Sequence, residues 1–135
     1  MTRRGRKDKH EWEERVRYIL RHLDDPIMLQ RSPVAKPAFV EKRVRDCYAN
    51  LLVAHGRALH DLMIEWLEEV ESSVDGSDRL KHFHDFVVFT RNGMGTMEAS
   101  RRLGLSSGHV SRTYKRMLVE LLIERIMGTP QQETV

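Results

Sequence analysis

Six basic side chains crowd residues 91–116 (Arg91, Arg101, Arg102, Arg112, Lys115 and Arg116), opposed by Glu98 alone. At that density, guanidinium and ammonium groups can neutralise phosphates. Interleaved with the hydroxyls of Ser106, Ser107 and Ser111, they can also hydrogen-bond base edges. A second basic run, Arg3, Arg4, Arg6, Lys7 and Lys9 against Asp8, opens the chain. Between the two, residues 58–78 hold Asp61, Glu65, Glu68, Glu69, Glu71, Asp75 and Asp78 with no lysine or arginine. Net charge is only +3. The partition of charge, rather than its total, points to a polyanion partner.

Other chemistries fare worse. Among seven histidines, His82 and His84 are two apart and point away from each other on a helix, and His55 and His60 miss the i,i+4 spacing of a ligand pair. Cys47 falls on an apolar stripe, which predicts a buried structural thiol rather than a nucleophile. Asp24-Asp25 before Pro26 reads as a helix cap, not a catalytic pair. There is no Gly-rich phosphate loop, and one cysteine excludes an internal disulfide framework. The reading is no enzyme, no cofactor and no metal.

The elements that must position the basic zones are helical. At 135 residues, 40% apolar and 32% charged, the chain has material for one core. No apolar run approaches the ~18 residues of a membrane span, and no apolar segment follows the charged start. The expectation is therefore a protein without membrane association, cytoplasmic and, if bacterial, associated with the nucleoid. Residues 1–10 lack periodicity and read as a disordered basic tail that could serve as a minor-groove arm. From Trp12 a stripe runs through Val16, Ile19, Leu20 and Leu23, with Glu11, Glu13 and Glu14 read as the first turn. Pro33 and Pro37 bracket a connection. A second stripe runs from Val40 to Val70, and Gly56 leaves one helix or two open. Asp75-Gly76-Ser77-Asp78 reads as a turn, Leu80 to Val88 as a helix, and Asn92-Gly93 as its end. No segment alternates with a period of two. The predicted fold is all-α: a tail (1–10), a helical region for dimerisation or partner docking (11–75), and a helix-turn-helix domain (79–127).

Residues 96–115 carry the motif. A helix-turn-helix needs small residues where its helices cross, a turn residue that accepts positive φ, and apolar pins. Ala99 and Ser100 are the small pair, Gly104 is the turn, and Leu103, Leu105 and Val110 are the pins. Ser106 suits the N-cap of the second helix. That helix keeps an apolar face through Val110, Tyr114, Met117, Leu118, Leu121 and Leu122. Its other face shows Ser107, Ser111, Arg112, Lys115 and Arg116.

Leu103-Gly104-Leu105-Ser106, then Val110-Ser111-Arg112 and Lys115-Arg116-Met117-Leu118, resembles the helix-turn-helix of sigma-factor region 4 and of response-regulator output domains. The resemblance covers about residues 80–122. It departs at Ser100, where that family usually has Ala, and at Thr113, where an apolar residue is common. It implies a second helix, about 107–122, seated in the major groove. The residues expected at DNA are Ser106, Ser107, Gly108, His109, Ser111, Arg112, Lys115 and Arg116, with Arg101 and Arg102 from the first helix.

The sequence therefore reads as a sequence-specific binder of double-stranded DNA, of the bacterial transcription-regulator kind. The alternative is a helical module that docks a protein such as RNA polymerase through its acidic face. A homodimer is also expected, because Met117, Leu118, Leu121, Leu122, Ile123 and Ile126, with Trp12 and Trp66, present more apolar surface than one neighbouring helix covers.

Overall fold

The computed structural model describes residues 2–35, 37–74 and 80–128, with side chains from His10 onward. It is all-α, with no strand among the described residues. Helix α1 spans Thr2–Arg21 and α2 spans Pro26–Gln30, followed by a 3-10 turn at Pro33–Ala35. Helix α3, Ala38–Arg43, ends in a π turn at Val44–Tyr48, and α4 spans Ala54–Ser73. Then come α5, Lys81–Arg91, and α6, Thr96–Leu103. The last stretch is α7, Ser107–Val110, a π turn at Ser111–Lys115, and α8, Arg116–Gly128.

Local chemistry explains several boundaries. Asp25 caps α2, its carboxylate accepting from the N–H groups of Ile27 and Met28 at 3.1 and 3.2 Å, with Pro26 at the first helical position. Helix α5 stops at Asn92, and Gly93 follows at φ +87°. The Asp75–Asp78 turn lies outside the described residues.

Helix α1 corrects one expectation, because its backbone is helical from Thr2 rather than disordered up to residue 10. Residues 2–10 contain no proline and several arginines and lysines, which are good helix formers. Extending a helix already anchored by Val16 and Ile19 also avoids the cost of nucleation. Glu11, Glu13 and Glu14 thus sit more than two turns inside the helix, not at its start.

The second stripe splits into two helices, and the split precedes Gly56. After Tyr48 the chain turns through Asn50 (φ 68°) and Val53 (φ 54°) before α4 begins. Asn tolerates the left-handed region, whereas the β-branched Val53 is strained there. The carbonyl of Val53 accepts the first α4 bond, from Arg57 N at 3.0 Å. Gly56 lies within α4 and serves a close approach. A Cβ at this position would sit 1.9 Å from the Pro26 carbonyl oxygen. The Gly56 N–H also donates to Gln30 Oε1 at 2.8 Å. Cys47, expected buried, is exposed. The π turn inserts a residue into the helix and rotates this position off the apolar stripe.

Helix α4 is central. It buries Ala58, Leu59, Leu62, Met63, Trp66, Leu67 and Val70, each large side chain contributing about 1.5–3 kcal/mol. Around it, Val16, Ile19 and Leu23 of α1, Phe83, Phe86 and Val87 of α5, and Leu118, Leu122 and Ile126 of α8 join one buried cluster. Segments 11–75 and 79–127 thus share a core. Trp66 is buried, with Phe39 edge-on at 5.7 Å. On α8, Met117, Leu121 and Ile123 are half-buried against the same cluster. Of the apolar residues behind the expected homodimer, Leu118, Leu122, Ile126 and Trp66 are buried within the chain, while Trp12, Met117, Leu121 and Ile123 keep part of their surface exposed. Among the described residues, no helix is long and apolar enough to cross a membrane.

Candidate nucleic-acid interface

The corner formed by α6, α7 and the π turn has the internal bracing that a helix-turn-helix requires. Ala99 and Ser100 are buried where the helices cross. Ser100 can replace alanine there because its hydroxyl donates to the Thr96 carbonyl at 2.7 Å, leaving no unpaired polar atom. Gly104 takes φ +73°. Around it, Leu105 N donates to Ser100 O at 3.0 Å and Gly104 N to Arg101 O at 3.1 Å, the two bonds of a Schellman motif. Ser106 then caps α7, its Oγ accepting from His109 N at 3.1 Å. Val110 is buried beneath the turn. Tyr114 packs its ring among His109, His82 and Phe83, with centroids 5.6–6.4 Å apart.

This bracing leaves Arg101, Arg102, Ser106, Ser107, His109, Ser111, Arg112 and Arg116 exposed together. The Arg112 guanidinium lies back over half-buried Gly108, where an added Cβ would stand 2.9 Å from Nη1. Arg102 meets Glu98 at 3.8 Å and Arg116 meets Glu120 at 3.6 Å, both exposed i,i+4 pairs worth little. Arg101 and Arg112 have no ion pair among the described residues. The corner is positive and exposed.

Lys115 departs from the expected face. It is half-buried, and its Nζ donates to Thr96 Oγ1 at 3.2 Å. The wide π turn at Ser111–Lys115 offsets the helix phase, so Lys115 falls beside the start of α6 instead of beside Arg112. Burial pushes its ammonium pKa down, and the nearby charges of Arg17 and Arg21 push it the same way. Those two arginines were not found by sequence reasoning. Their i,i+4 spacing on α1 was visible, but nothing in it shows that α1 packs on α8.

Four carboxylates of the acidic helix face are answered from within the chain. Glu65 accepts from Nη1 and Nη2 of the Arg43 guanidinium, at 2.5 and 2.9 Å. Glu71 accepts from Arg91 Nε at 2.9 Å, and Arg125 approaches Glu69 at 4.0 Å. Asp61 accepts from the Tyr48 hydroxyl and lies 3.1 Å from His60 Nδ1. Donating to that carboxylate holds the Tyr48 phenol above its ordinary pKa.

Among the described residues, no group of three His, Cys, Asp or Glu side chains could hold a metal ion. No protein-family model matches the chain, and neither a curated protein nor a solved structure matches it.

Proposed function

We propose that the chain binds double-stranded DNA sequence-specifically, as a transcription regulator of the bacterial kind, with the helix beginning at Ser107 docked in the major groove. The observation that carries this reading is the exposed set Arg101, Arg102, Arg112 and Arg116 interleaved with Ser106, Ser107 and Ser111, beside a Gly104 turn and a Ser106 cap. On this reading Arg112 reaches a base edge, guanine O6 and N7 being the usual partner of arginine. Arg101, Arg102 and Arg116 neutralise phosphates, and N–H groups at the start of α7 add to them. The resemblance to sigma-factor region 4 and response-regulator output domains supports the same geometry. The half-burial of Lys115 removes it from the base-reading set.

A salt titration of binding to a random-sequence duplex tests the reading. Three to four phosphate contacts give a slope of log K against log salt of about −3. No binding at low salt would overturn it and favour protein docking through the α4 carboxylates.

A further inference from the structure

Gly108 is the second residue of α7 and, unlike Gly93 and Gly104, takes no positive φ. Its backbone is one that any residue adopts, and alanine there would lose less freedom on folding. Backbone geometry therefore gives no reason for a glycine, but packing does. A Cβ at this position would stand 2.9 Å from Nη1, 3.5 Å from Nη2 and 3.6 Å from Cζ of Arg112, its three nearest neighbours. Arg112 lies four residues on, one turn along the same side of the helix. It has no ion pair among the described residues, so its guanidinium rests on the bare backbone of Gly108 rather than on a carboxylate. An exposed arginine otherwise samples many rotamers, and ordering it on binding costs affinity. Folded back on α7, the fork already lies among the exposed hydroxyl-bearing positions Ser107 and Ser111. Bidentate contact with guanine needs a fork whose position is set in advance.

We propose that Gly108 is a positioning residue for Arg112: its missing side chain lets the Arg112 guanidinium stay folded against the reading helix, in the place from which it reads a guanine edge. The inference rests on the DNA-binding reading above. It goes further by making sequence discrimination depend on a residue that brings no contact group of its own. Its signature follows from which atom must give way. Nη1 is the far end of a flexible side chain, so a methyl group at residue 108 displaces the guanidinium and not the backbone. Gly108→Ala therefore folds, and what it loses is the placement of the fork.

The test enriches a duplex from a random-sequence pool with the full parent chain. Discrimination, the affinity for that duplex over the random pool, is then measured for the parent, Gly108→Ala, Arg112→Ala and the double variant, with a melting curve for each. Arg112→Ala should lose about 5- to 150-fold in discrimination, the range for one bidentate base contact. Gly108→Ala should lose at least about fivefold while melting no lower than the parent. In the Arg112→Ala background, Gly108→Ala should cost less than about twofold more, because the side chain it positions is gone. Losses that multiply in the double variant would overturn the proposal, since Gly108 would then approach DNA by itself. A lowered melting temperature in Gly108→Ala would also overturn it, making the glycine a support of the fold. A parent chain that enriches no duplex overturns the DNA reading and this proposal together. A parent chain that discriminates, with Gly108→Ala matching it, overturns this proposal alone.

Discussion

The α4 face and the α6–α7 corner are both dense in charge, yet the fold treats them differently. Asp61, Glu65, Glu69 and Glu71 on α4 meet Tyr48, Arg43, Arg125 and Arg91, all from other elements of the same chain. At the basic corner, the pairs of Arg102 and Arg116 are exposed and lie within one helix turn, while Arg101 and Arg112 have none among the described residues. One face spends its charge on tying α3, α5 and α8 to α4. The other leaves its charge exposed to solvent. A run of one sign in a sequence does not separate these outcomes; the placement of the opposite sign does.

The comparison can be broken hardest in the α4 body. Gly56→Val should cost at least about 3 kcal/mol, because its Cβ would overlap the Pro26 carbonyl. Gly104→Val strains a left-handed residue with open space around it, so about 1–2 kcal/mol should be lost, and local to the corner. Thermal melts of the two variants check the order, and near-equal losses would show that the turn is not the weaker constraint.

Arg112→Ala should leave the melting temperature unchanged while weakening cognate duplex binding by about 1–3 kcal/mol. Discrimination between cognate and random duplex is the measurement, and unchanged discrimination reduces Arg112 to a phosphate contact. Glu65→Gln should do the reverse: it should lower stability by up to about 1 kcal/mol, its pair with Arg43 being partly exposed, and leave duplex binding intact.

The smallest expected effect is at Lys115. Its pKa in the folded chain is below the ordinary 10.5, so over that window the unfolded chain holds more protons and stability rises with pH. Lys115→Gln removes the desolvated charge. It should melt slightly above the parent at neutral pH, by well under about 1 kcal/mol because solvent screens the site, with the gap closing as pH nears 10.5. Melts across that range would show it, and a constant gap would contradict it.

How much was legible in the sequence follows from how local each signal is. The Asp25 cap, the Asn92-Gly93 stop, the Gly104 turn and the Ser106 cap are decided within a few residues, and all stand as read. Exposure of the arginines followed from helix phase and held as far as Arg112. It failed at Lys115, and at Cys47, where a π turn shifts the phase and no residue type announces that turn. The role of Gly56 depends on where α2 lies, and the nearness of Arg17 and Arg21 to Lys115 depends on α1 packing against α8. Both are tertiary facts. The helical start of α1 was hidden because polar residues give no apolar period, although they form helix well once it is nucleated.

The central claim is that the outward-facing charge of the α6–α7 corner, not the α4 face, receives the partner. Mapping amide shifts of the full chain on adding a random-sequence duplex at low salt tests it most directly. The account expects the largest changes over residues 101–116, with α4 residues 61–71 unmoved. Changes centred on 61–71, or none anywhere, would contradict it.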